Sequence, residues 1–216
     1  MDRWQEGGSM IEVVVFTFVF AWFKGYRWKV FNLFRHWSIY PIVFTCLLHI
    51  YIINLMLHSQ YWFIIYGGYI KTFSILFYLA LALKYNLFNL SIFHKFKIEK
   101  SPLLTTITSP VTIGVLCICL GSLLNVIAVR FNNFKMPVFP NVSLGTGYSK
   151  MDMFDKMLLY NDYHVFGNSE TSLIFLTDIF DFFYSIMSIG DLITRMFVVL
   201  IIYYSIIECN KYKNNC

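Results

Sequence analysis

Apolar residues run along this chain in blocks rather than in alternation, and polar residues collect between the blocks. Five blocks stand out: residues 10–23, 37–57, 61–85, 104–129 and 189–207. Unbroken apolar stretches of this kind predict helices that meet lipid rather than water on most sides. The first is the shortest. At 1.5 Å per residue it covers about 21 Å, against a hydrocarbon core of about 30 Å. Trp4, Tyr26 and Trp28 flank it as interfacial anchors, and it is read as spanning. The third has two registers. Starting at Tyr61 would place Lys71 near the bilayer centre, at a cost of about 2.5–3.5 kcal/mol. Starting at Gly67-Gly68 lets Lys71 snorkel to an interface, and this register is preferred.

Between the blocks, Lys24–Arg35 (KGYRWKVFNLFR) repeats Trp28, Phe31 and Phe34 at intervals of three, among four cations. It predicts an amphipathic helix lying on the membrane. Lys84–Lys100 has a similar basic and aromatic character. Ser101-Pro102 has the chemistry of a helix start, a Ser cap followed by Pro at the first position. In the fourth block Gly114, Ile118, Gly121 and Asn125 fall on one helical face, where small residues allow close approach and Asn125 can bond across it.

Residues 130–188 form a long polar loop. Within it Leu173–Met187 is apolar but carries Asp178 and Asp181, so it is read as a re-entrant or interfacial segment rather than a sixth span. Ser188-Ile-Gly-Asp191 has the spacing of a capping box at the start of the last helix. Arg195, four residues after Asp191, is expected to pair with it. The predicted fold is therefore an all-α membrane protein of about five transmembrane helices, a single domain with one long extracytoplasmic loop.

Composition agrees: 58% hydrophobic and only 13% charged residues leave too few charges to coat a water-soluble surface. The charges also sort by side. With five crossings, one face receives ten cations and two acids, and the other receives seven cations and ten acids. The basic face belongs in the cytoplasm. This puts the N-terminus and the loop outside and the C-terminus inside. A basic membrane face explains the net charge of +5 through anionic headgroups, without nucleic acid. None of the five cysteines falls in the loop, so no disulfide is expected there.

The stretch LGSLLNVIAVRFNNFKMPV (120–138), then His164, then Thr171-x-Leu173-x-Phe175-Leu176-x-Asp178-Ile179, then Ser188-Ile-Gly-Asp191, resembles a bacterial family of uncharacterised membrane proteins, domain of unknown function 5317. That resemblance implies several membrane helices in a bacterial cytoplasmic membrane, and no known activity. Two positions depart from the family pattern: Thr177 replaces the usual Gly before Asp178, and Phe180-Asp-Phe-Phe-Tyr replaces a proline-rich turn. Arg195 is also unusual there.

The residues able to carry chemistry lie in the loop. His164 with Asp178 or Asp162 is the candidate acid–base pair, and His164, Asp178 and Asp181 are the candidate metal ligands. Such a pair needs His164 within about 5 Å of a carboxylate, the limit of a loose hydrogen-bonding arrangement. Met136 and Pro137, His164, Asp178, Asp191, Arg195 and Asn125 are the candidate binding residues. Capping, solvation and backbone geometry also account for residues of these types, Pro137 by fixing an extended chain reversal. No cofactor is implied: Gly-rich phosphate loops, HExxH and GxSxG are all missing. The leading expectation is a binding or assembly element that meets lipid and a membrane-protein partner through its outer loop. One alternative is an outer-face His/Asp enzyme. Another is a small transporter or transporter subunit.

Overall fold

The computed structural model describes residues 6–35, 39–57, 67–88, 108–145, 163–181 and 186–213. It is mostly helical. Five long helices are α1 (Glu6–Ala21), α2 (Ile39–Leu57), α3 (Gly67–Lys84), α4 (Pro110–Phe131) and α5 (Ile189–Lys213). The all-α expectation needs one correction, because four short strands lie between α4 and α5: β1 (Met136–Val138), β2 (His164–Phe166), β3 (Phe180–Asp181) and β4 (Ile186–Met187). Of the helices, α4 and the Ile189–Lys211 part of α5 are long and apolar enough to cross a membrane.

Local chemistry sets the helix ends. α1 gives way to a π turn at Trp22–Tyr26, where Gly25 sits at φ 98°, a conformation that costs glycine little. A 3-10 helix, Arg27–Arg35, follows. Residues three apart superpose in such a helix, so its two apolar stripes separate. Val30 and Leu33 enter the core, while Trp28 and Phe31 point outward. The repeat at Trp28, Phe31 and Phe34 is a row of rings in contact, with centroids 5.9 and 5.7 Å apart, exposed at Trp28 and Phe31 and turned at Phe34 against Phe18 of α1 (5.4 Å). α3 ends with Asn86 left-handed at φ 51° and Leu87 N–H donating to the Ala82 carbonyl (2.9 Å). This is the glycine-type helix stop, with Asn in the glycine position.

A second Ser-Pro pair starts α4. Ser109 caps α4 by accepting from Thr112 N–H (3.2 Å), with Pro110 as the first helical residue. Ser101-Pro102 lies outside the described residues.

Side-chain contacts give the helix directions. Phe20 meets Tyr203 (5.3 Å), so α1 runs alongside α5 with its C-terminal end toward the C-terminal half of α5. Asn125 near the end of α4 meets Asp191 at the start of α5, so these two are antiparallel. Their interface is close-packed: a Cβ on Gly121 would lie 2.3 Å from the Gly190 carbonyl oxygen, and one on Gly114 would lie 2.6 Å from the Phe197 ring. The main core joins Tyr78, Leu81 and Ala82 of α3 to Phe197, Ile201, Ile202 and Ile206 of α5. Buried Thr17 and Thr45 return their hydroxyls to backbone carbonyls one turn earlier, and Thr45 also meets the Tyr78 hydroxyl (3.1 Å).

Two different ends result. Asn210 of α5 accepts from Asn32 Nδ2 (2.7 Å) and donates to the Lys29 carbonyl (3.2 Å). It thereby brings the basic 3-10 helix to the C-terminal end of α5. The strands gather at the opposite end, where α4 finishes and α5 begins.

Candidate functional site

The strand-bearing end is a small cap built on the last turn of α4. Asn132 closes that helix by donating from Nδ2 to the Ala128 carbonyl (2.8 Å). The same amide donates to the Ser172 carbonyl (2.9 Å), and its Oδ1 accepts from Ser172 N–H (2.9 Å). Asn132 is thus a clasp between α4 and a segment 40 residues away. Asn133 and Phe134 then adopt left-handed φ values of 54° and 61°. Phe134 N–H donates to the Val129 carbonyl (2.9 Å), which turns the chain sharply into β1. Arg130 lies over the Phe134 ring at 5.3 Å.

β1 is the centre of the cap. It pairs in parallel with β2, Met136 opposite His164 and Val138 opposite Phe166. On its other edge Val138 bridges in parallel to Asp178. Pro137 has no N–H to give, but its carbonyl accepts from Asp178 N–H (3.1 Å), and the Asp178 carbonyl accepts from Phe139 N–H (2.9 Å). Met136 and Leu176 pack onto Ala128 and Val129 beneath.

This arrangement brings His164 and Asp178 together from opposite edges of β1. His164 Nε2 stands 3.6 Å from Asp178 Oδ2, inside the limit of about 5 Å, and both side chains are 0% exposed. Met136 and Pro137 are buried beside them. Such a pair holds a histidine in one orientation, and here it is enclosed rather than set in an open cleft. Asp162 lies outside the described residues. Asp181 is half-buried on β3, opposite Ile186 of β4. Among the described residues no three His, Cys, Asp or Glu side chains gather closely enough to hold a metal ion, so Asp181 does not complete the expected metal set.

A second polar group lies below, between α4 and α5. Asp191 Oδ2 accepts from Ser188 N–H (3.2 Å) and Oγ (3.0 Å), and Ser188 Oγ accepts from Asp191 N–H (3.0 Å). This is the reciprocal capping pattern that the sequence spacing predicts. Asn125 completes it, donating from Nδ2 to Asp191 Oδ1 (2.9 Å), while its Oδ1 lies 2.7 Å from Ser188 Oγ and shares the single hydroxyl proton with Asp191 Oδ2. Both Asp191 oxygens are thereby occupied. These hydrogen bonds fix the Asp191 carboxylate against Ser188 and Asn125. Arg195 is buried and lies within electrostatic range of Glu12 on α1.

Asn125, Ser188 and Asp191 therefore serve helix docking, and His164, Asp178, Met136 and Pro137 serve the cap. Sequence reading missed Asn132 as the clasp and Asn210 as the tie at the other end. An Asn just past an apolar helix is the signal for the first; one Asn among three in the polar C-terminal stretch gives none for the second.

No curated protein and no solved structure matches the chain. Residues 100–203, which contain the cap, α4 and most of α5, match a family of unknown function, DUF5317.

Proposed function

We propose that the chain is a multi-pass protein of the bacterial cytoplasmic membrane, with its N-terminus and cap outside and its C-terminus in the cytoplasm. Its cap acts as a non-catalytic binding or assembly element for a membrane-protein partner. The observation that carries this reading is the complete burial of His164 and Asp178. A group that must meet substrate needs a path to it, whereas a group that fixes one strand against another is best enclosed. Around this closed centre the cap turns apolar side chains outward: Phe131, Phe134, Ile174 and Phe175 are all exposed, close to the Asn132–Ser172 clasp. Exposed aromatic clusters of this kind suit contact with another protein or the membrane interface.

The test is site-specific photocrosslinking in intact cells. A crosslinking residue at Phe175 should give one discrete adduct, while the same residue at Phe73 on the exposed face of α3 should give lipid adducts alone. Equal yields at both positions, or none at Phe175, would contradict the assembly reading.

The 3.6 Å separation keeps the enzyme alternative in play, with His164 as base and Asp178 orienting it. His164→Gln separates the two. An enzyme would keep a folded cap and lose turnover; a structural pair would lose its protection against protease. The transporter alternative has less support. A carrier needs a polar path at mid-depth, and there Tyr78, Leu81, Phe197, Ile201 and Ile202 pack together.

A further inference from the structure

A cavity of about 630 Å³ lies between α1 and α2, roofed by the 3-10 helix. Val14 and Phe18 of α1, Val43 and Cys46 of α2, and Val30 and Phe34 of the roof are among its walls. Among the described residues no charged side chain lines it, and the Cys46 thiol and the Trp22 indole N–H are its only side-chain heteroatoms. The volume falls within the range of sites for small molecules, about 300–1,000 Å³. The flank is open, because Val15, Val19 and Leu47 on its rim are exposed.

The roof is fixed rather than draped. Val30 and Leu33 anchor it in the core, and Asn210 bonds both its Lys29 carbonyl and its Asn32 amide. Residues 24–35 carry four cations and no acid, and Lys24, Arg27 and Lys29 are exposed around the roofed end.

We propose that this groove holds one acyl chain of an anionic phospholipid, with the headgroup at Lys24, Arg27 and Lys29. The two halves of the site match the two halves of such a molecule. An apolar slot without charged groups suits a hydrocarbon tail, and a cluster of cations without acids suits a phosphate-bearing head. A free phosphate ion would gain nothing from the slot. A second copy of the chain, docked here across a two-fold axis, would bring its own four cations against these four. The proposal rests on the membrane reading given above, and retention in carbonate-washed membranes tests that reading separately.

The experiment is native mass spectrometry of the detergent-purified full chain, titrated with dioleoyl phosphatidylglycerol or with phosphatidylcholine carrying the same tails. The wild type should retain one phosphatidylglycerol, roughly a hundredfold more readily than phosphatidylcholine, the scale expected for three basic residues at about 1 kcal/mol each beside an anionic headgroup. Val43→Trp fills the slot and should lose the bound lipid. Lys24→Gln/Arg27→Gln/Lys29→Gln changes only exposed side chains and should bind both lipids alike. Inorganic phosphate should not compete. Equal binding of the two lipids by the wild type, or wild-type retention by folded Val43→Trp, would overturn the proposal. So would competition by phosphate alone, or a dimer in place of the lipid adduct.

Discussion

At the residue scale, the stability of the α4–α5 pair turns on a few positions where nothing larger fits. Gly121 faces backbone and the Thr194 hydroxyl, whereas Gly114 faces chiefly the ring of Phe197. Backbone cannot rotate away and a ring can. Gly121→Ala should therefore destabilise by about 1–3 kcal/mol or more, and Gly114→Ala by less. At Gly145 an added Cβ would meet nothing within 4 Å, so Gly145→Ala should be without effect. Thermal unfolding in one detergent ranks the three, and a Gly145→Ala loss as large as that of Gly121→Ala would contradict this packing. Asn125 makes the same point for polar groups. Asn125→Ala removes both of its bonds and leaves Asp191 Oδ1 without that donor, a loss of about 1–3 kcal/mol. Asp191→Asn keeps an oxygen for the cap and should cost less. These residues were legible in the sequence, because small residues at 4-3-4 spacing and a capping box are local patterns.

At the element scale, the helices were legible and the cap was not. Long apolar blocks announce helices wherever they fall. β1 and β2 are three residues each, too short to show alternation, and their parallel pairing joins Met136 to His164 across a long connection. Nothing local signals such a pairing. His164 and Asp178 were recognisable as residues with chemistry, but their meeting depends on both edges of β1 being used. The 3-10 helix lies between these cases: its period of three was visible, and which stripe faced inward was not. The cap should behave as one unit hung from Asn132. Asn132→Ala removes three hydrogen bonds from the clasp and should raise protease cleavage within residues 163–181, while cleavage near α3 stays unchanged. Limited proteolysis followed by mass mapping reads this directly. Uniform cleavage along the chain would show that Asn132 supports the whole fold rather than the cap.

At the scale of the whole molecule, the fold separates two chemistries along the helix axes. The cap, with Glu170, Asp178 and Asp181, sits where α4 ends and α5 begins, above Asp191 and beside Arg130 and Lys135. The basic 3-10 helix, Lys84 and Lys211, the last paired with Glu208, gather where α3 and α5 end. The charge count from sequence assigns these groups to opposite sides of a membrane, and the helix contacts keep them at opposite ends of the bundle. The most direct test uses single cysteines in a background with the five native cysteines replaced by Ser. Glu170→Cys and Lys211→Cys are both at exposed positions. In intact cells, a membrane-impermeant thiol reagent should label Glu170→Cys at once and Lys211→Cys only after the cells are permeabilised. Labelling of both positions from outside, or of Lys211→Cys alone, would contradict the proposed topology.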